Sequence, residues 1–214
     1  KNPNANVTIF EKNQKALAKV MITGGGRCNL TNTFEDISDL KHAYPRGYKL
    51  MKRLFKQFDY HEVYKWFEDN GVPLVTQEDL CVFPKSQEAS SIVNCLVNKA
   101  RRLGVNVMTG YKLEKTIQTE DGRFMLYFKN GQTQIFDRVA ITTGGSPNIN
   151  DLNHLRELGH EIETPIPSLF TFNIADKKVL ALMGTVVNPV MTSISSTKFR
   201  SQGPLLVTHW GFSG

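Results

Sequence analysis

At Val105 the apolar residues of this chain stop recurring at helical spacing and begin to alternate. Before that point Ile92, Val93, Leu96, Val97 and Ala100 form one stripe, which predicts a helix capped by Ser86 and closed by Gly104. After it the pairs Asp121-Gly122 and Asn130-Gly131 mark two hairpin turns. They divide Leu113–Ile117, Phe124–Phe128 and Gln134–Phe136 into a three-stranded antiparallel meander. Val105–Met108 before the meander and Arg138–Thr142 behind it read as core strands. Long helices alternating with core strands, with a meander as crossover, predict an α/β fold.

Two other stretches indicate what such a sheet would hold. Val7–Phe10 predicts a short buried parallel strand whose carboxyl end carries Glu11. An acid there accepts hydrogen bonds from ribose hydroxyls in nucleotide-binding sheets. Further on comes Thr23-Gly24-Gly25-Gly26-Arg27-Cys28-Asn29-Leu30-Thr31-Asn32. Three glycines in a row remove every Cβ from the bend, so its backbone can take positive φ and approach another molecule closely. Arg27 adds a forked charged donor, and Asn29, Thr31 and Asn32 add neutral hydrogen-bonding groups. A flexible surface loop accounts for the glycines alone; the polar cluster behind them points to a phosphate or nucleotide. Thr143-Gly144-Gly145, at the end of a predicted strand, reads either as a second backbone approach or as an ordinary turn.

Composition narrows the class. With 40% hydrophobic and 21% charged residues the chain matches ordinary soluble globular proteins. No apolar run approaches the roughly 18–20 residues that cross a bilayer, so no membrane role is expected. Cys28, Cys81 and Cys95 make neither a CxxC pair nor an even disulfide set, which suits a reducing cytoplasm. Cys95 borders the helical stripe and is expected to be a core thiol. The five histidines lie far apart, so no metal is expected. The formal charge of +6 is densest at Arg46, Lys49, Lys52, Arg53 and Lys56, opposite Leu50, Leu54 and Phe58 on a helix predicted over 47–57. That pattern is read as a solvated amphipathic face; no aromatics interleave with the charges, so nucleic acid is not an expected partner.

A second helix is expected from Asp59, as N-cap, to Gly71, with Val63, Trp66 and Phe67 inward. Leu74-Val75 and Cys81-Val82-Phe83 suggest a hairpin, and 150–159 a short helix. From Pro165 the chain becomes β-rich, at Ser168–Asn173, Val186–Ser195 and Leu205–Thr208. The expected division is therefore 1–164 and 165–214. The chain lacks an initiator Met and is read as a piece of a longer protein.

Taken together, Ile9–Asn13, Thr23–Asn32, Val82-Phe83-Pro84, Thr142–Gly145, Pro167–Phe172 and Gly203–Gly214 resemble the BaiN/RdsA family of bacterial FAD-dependent oxidoreductases over nearly the whole chain. The GGGRCN and THWGFSG blocks are the specific ones. The resemblance implies an FAD/NAD(P)-binding Rossmann-like domain with a β-meander crossover, truncated at its N-terminus, followed by the start of a β-rich inserted domain. It implies FAD as cofactor, NAD(P)H as an electron donor and a small-molecule substrate. Glu11, with Lys12 beside it, would hold the adenosine ribose. Gly24, Gly25 and Gly26 with Arg27, Cys28 and Asn29 would lie along the pyrophosphate and flavin. The backbone at Leu113 would meet the adenine, and Thr143, Gly144 and Gly145 would close over the dinucleotide. The family's opening GxGxxG turn is not in these residues, so the chain alone is expected to bind FAD weakly or not at all. No catalytic residue is identified; by its place in the THWGFSG block His209 is the candidate acid or base, but it is read as a structural, buried histidine. Alternatives are an FAD protein that modifies RNA or senses redox state, or a piece without activity of its own.

Overall fold

The computed structural model describes residues 4–146, 148–166 and 171–213. Pro147 and the Ser168–Phe170 part of the expected β-rich region lie outside the described residues. The chain divides into two compact units, the first ending at Val139 and the second beginning at Ala140.

In the first unit β1 (Thr8–Glu11) runs parallel to β5 (Asn106–Thr109), with Ile9 opposite Val107 and Glu11 opposite Thr109. Between them come α1 (Ala18–Ile22), a 3-10 turn (Thr23–Gly26), β2 (Thr31–Asn32), α2 (Leu40–Ala43), α3 (Tyr48–Phe55), α4 (Tyr60–Asp69), β3 (Leu74–Thr76), β4 (Cys81–Pro84) and α5 (Ala89–Arg102). Asp59 starts α4 as expected. Its side chain accepts from the His61 N–H at 2.7 Å while Glu62 accepts from the Asp59 N–H, closing a capping box. α5 starts at Ala89 rather than at Ser86; Glu88 is its N-cap residue, and the Ser86 hydroxyl accepts from the Glu88 N–H. Its buried line is Ala89, Ile92 and Cys95, so Cys95 lies inside the apolar stripe.

β2, β4 and β3 form an antiparallel sheet, with Thr31 opposite Val82. Thr31 and Asn32, expected as ligand donors, are thus strand residues. Phe67 from α4, Leu74 and Val82 from the hairpin, Ile92 and Cys95 from α5, and Cys28 make one buried cluster. β6 (Leu113–Gln118), β7 (Phe124–Phe128) and β8 (Thr133–Phe136) form the meander, with Gly122 and Gly131 in the left-handed region at its two turns. Phe10 joins β1 to it, its ring 4.6 Å from Phe128 and 5.7 Å from Phe136.

Two sequence expectations fail here. β1 is not buried on both faces: Phe10 packs on the meander, whereas Ile9 is 47% exposed. Residues 138–146 form no strand. Arg138–Thr142 has strand composition, but a strand also needs a neighbouring edge, and among the described residues none pairs with it.

The second unit contains a 3-10 turn (Ile149–Leu152), α6 (Asn153–Glu157), β9 (Phe172–Asn173), α7 (Lys177–Leu180), β10 (Val186–Ser193), β11 (Arg200–Val207) and β12 (Gly211–Ser213). Its strands pair antiparallel in the order β10-β11-β12-β9. Among the described residues no helix is long and apolar enough to cross a membrane.

Candidate functional site

The glycine block is built as a braced turn with an open outer side. Gly24, Gly25 and Gly26 all take left-handed values, φ +55°, +67° and +85°. Residues with a Cβ pay about 1–2 kcal/mol for that conformation, which is the local reason for three glycines. The turn closes on itself, the Cys28 N–H donating to the Thr23 carbonyl at 3.0 Å and the Arg27 N–H to Gly24 at 3.3 Å. The Thr23 hydroxyl donates back to the Val20 carbonyl at 2.8 Å, tying the turn to α1. On the far side the Leu30 N–H donates to Val82 at 2.8 Å and joins the turn to β4.

The inner and outer glycines differ. A Cβ on Gly24 would stand 2.6 Å from the Asn29 backbone nitrogen and 3.1 Å from the Phe83 ring. A Cβ on Gly25 would meet nothing within 4 Å. The turn is therefore packed at Gly24 and open at Gly25, where a ligand could approach bare backbone.

Arg27 is a brace as well as a donor. Its guanidinium lies 4.3 Å from the Phe83 ring centroid, donates from Nε to the Gly24 carbonyl and from a terminal nitrogen to Gln87 Oε1, both at 3.3 Å. Five N–H bonds leave this group three further donors, held in a fixed direction. Phe83 and Gln87 were absent from the sequence-level site, since a partner about sixty positions away has no local spacing signal. Cys28 points away: it is 5% exposed, inside the hydrophobic cluster at φ +64°, so its backbone belongs to the turn and its thiol to the core. Asn29 is exposed beyond it.

Glu11 ends β1 half-buried, and its Oε1 accepts from both the Asn13 backbone N–H at 2.8 Å and the Asn13 side-chain amide at 2.9 Å. Its other oxygen takes neither bond. The Gly110 N–H donates to Asn13 and the Tyr111 N–H to Glu11, so the residues just after β5 stay tied to the end of β1. Lys12 is exposed beside it. Leu113 is half-buried at the start of β6, in register with Phe128. Thr143, Gly144 and Gly145 are exposed and lie in the second unit, with Gly144 at φ +76°. His209 is exposed rather than buried, its ring 3.8 Å from Trp210. Burial pushes the Cys95 thiol pKa up, partly opposed by Lys99 and Arg102, which suits an inert core thiol. Among the described residues no cluster of three or more His, Cys, Asp or Glu is placed to hold a metal.

A parallel strand pair ending in an oriented acid, followed by an open glycine turn, is the arrangement on which the comparison with known proteins bears. The HI0933-like protein Rossmann domain model matches residues 1–165. The chain belongs to that family.

This HI0933-like chain is 27% identical over 229 aligned residues to the 3-dehydro-bile acid delta(4,6)-reductase of Clostridium scindens, with 99% of the chain and 52% of the relative covered. It is 24% identical to a ribosomal RNA dihydrouridine synthase of Haemophilus influenzae, over 97% of the chain and 53% of that protein. A protein of the same name from Escherichia coli is 25% identical, with 97% and 52% covered. The chain thus spans about half the length of the curated relatives it matches.

Proposed function

We propose that the full-length protein is an FAD-dependent oxidoreductase and that these residues carry part of its dinucleotide site. The observation that carries this reading is the asymmetry of the glycine turn, braced at Gly24 and open at Gly25. The chain's own groups fit the adenosine and pyrophosphate parts of such a ligand. Glu11 presents one carboxylate oxygen that Asn13 leaves unengaged, suited to ribose hydroxyls. The turn presents backbone without side chains, and Arg27 keeps three donors oriented for phosphate oxygens. Cys28 and Asn29 serve through backbone and amide, and the backbone at Leu113 is the proposed adenine contact. A flavin held there would supply two-electron redox chemistry, with a nicotinamide nucleotide as donor. The dinucleotide-binding region runs to residue 164, and a β-rich insert follows from 165.

The proposed reaction class is addition of hydrogen across an activated carbon–carbon double bond. The names of a delta(4,6)-reductase and a dihydrouridine synthase have that chemistry in common, although one molecule is a bile acid and the other an RNA. The protein is proposed to work in the reducing cytoplasm, in keeping with three free cysteines.

The test is the absorption spectrum of the full-length protein as purified, together with its Gly25→Asn variant. Asn tolerates left-handed φ, and its Cβ would meet no atom of the chain within 4 Å, so the side chain starts in the space left open to the ligand. The expected result is visible flavin bands in the parent and their loss in the variant. A colourless parent, or a variant that keeps its flavin, overturns the reading. Titrated with FAD, the 214-residue chain is expected to bind more weakly than micromolar.

A further inference from the structure

Gln87 lies between β4 and α5 at φ +58°, a left-handed value that residues with a Cβ avoid. Glycine or asparagine would hold that bend at little cost, so backbone geometry alone does not call for glutamine. The side-chain amide supplies a reason. The Gln87 backbone N–H and its Nε2 both donate to the Pro84 carbonyl, at 2.8 Å and 3.1 Å. Pro84 is fully buried at the end of β4, so the amide hangs from a fixed point. With Nε2 engaged there, Oε1 has to face the other way, and it accepts from an Arg27 terminal nitrogen at 3.3 Å. Phe83, next to Pro84 on β4, lies under the same guanidinium.

The acceptor is also neutral. Arg27 is half-buried and has no ion pair with a carboxylate among the described residues. An acid stands next to Gln87 in the chain, but the Glu88 carboxylate accepts from the Ser90 hydroxyl at 3.2 Å. An amide oxygen orients a guanidinium without cancelling its charge, whereas a carboxylate in that place would do both. Arg27 therefore meets an anionic ligand already aimed and with its charge uncompensated.

We propose that Gln87 is a positioning residue of the dinucleotide site. It fixes the direction of the Arg27 guanidinium and leaves the charge free for the pyrophosphate oxygens. This role rests on the flavin reading for the identity of the ligand.

FAD titration of the deflavinated full-length protein tests it, with Gln87→Asn and Gln87→Glu variants. Asn tolerates the left-handed bend but is one methylene too short to bridge Pro84 and Arg27, so it releases the guanidinium. FAD affinity should fall about 2- to 10-fold, the cost of immobilising one long side chain on binding. Glu keeps the reach but sets a carboxylate against Arg27. Affinity should then fall about 10- to 100-fold, the range for one hydrogen bond to a charged group. In an Arg27→Met background Gln87→Asn should cost nothing further, because Gln87 acts through the guanidinium. A second readout needs no flavin. With arginine labelled in 15N, the Arg27 Nε–H of the flavin-free protein should show a rigid order parameter that drops in Gln87→Asn. A Gln87→Asn loss that persists undiminished beside Arg27→Met, or an Arg27 signal that Gln87→Asn leaves rigid, would overturn the proposal and leave the flavin reading standing. A parent that binds no FAD would overturn the flavin reading and this role with it.

Discussion

Gly24→Ala and Gly25→Ala are chemically the same change at adjacent left-handed positions, yet they should differ sharply in stability. Both place alanine where a Cβ is disfavoured by about 1–2 kcal/mol, and both recover about 0.4–1 kcal/mol by restricting the unfolded chain. For Gly25 nothing else enters, because its Cβ meets open space. The net loss there is about 0–1.5 kcal/mol. At Gly24 the new carbon would sit 2.6 Å from the Asn29 backbone nitrogen, so backbone rather than a pliable side chain must move. Overpacking of that kind costs about 1–3 kcal/mol, which brings Gly24→Ala to about 1–4.5 kcal/mol and separates it from its neighbour by the overpacking cost alone. Urea unfolding measures the difference. Trp66, whose ring lies 4.8 Å from Phe67 in the first unit, is the reporter, in a Trp210→Phe background that removes the other tryptophan. At an m-value of about 2 kcal/mol/M, the two midpoints should lie about 0.5–1.5 M apart. Equal midpoints would refute the reasoning, since the braced inner side of the turn would then carry no energetic weight.

Thiol titration with a disulfide reagent should find one of the three cysteines accessible in the native chain, half-buried Cys81, and all three in urea, because Cys28 and Cys95 are closed into the core. Fast native reaction of Cys28 would put its side chain on the ligand side of the turn. The Asp121 carboxyl, held by the Arg123 guanidinium at 2.8 Å and by the Thr119 hydroxyl at 2.6 Å, has its pKa lowered to about 2. A depressed carboxylate stabilises the folded turn above its ordinary pKa and loses that contribution as pH falls towards 2. Carboxyl NMR should show the low midpoint, and Arg123→Ala should raise it; an unshifted variant would assign the effect elsewhere. In the second unit a Cβ on Gly211 would run into the Phe172 carbonyl, so Gly211→Ala should break the β12–β9 pairing and speed amide exchange there. Unchanged protection at Ile174, whose N–H donates to Trp210, would contradict this.

Local signals were enough wherever the physics is local. The two hairpin turns, the Asp59 cap and the change of period at Val105 each depend on residues a few positions apart, and the structure places them where the sequence suggests. The glycine block was legible as a left-handed bend for the same reason: only residues without a Cβ take that conformation freely, wherever they sit in a fold. What the bend does with its neighbours was not legible. That Arg27 would rest on Phe83, that Cys28 would turn its thiol inward, and that Arg138–Thr142 would have no strand to pair with are outcomes of distant segments meeting. Charge followed the same division: composition recorded an excess of six, while only the folded chain revealed that Arg46, Lys49, Lys52, Arg53 and Lys56 have no carboxylate against them among the described residues. Backbone preference is a property of a residue, whereas packing and pairing are properties of two residues that the chain must first bring together.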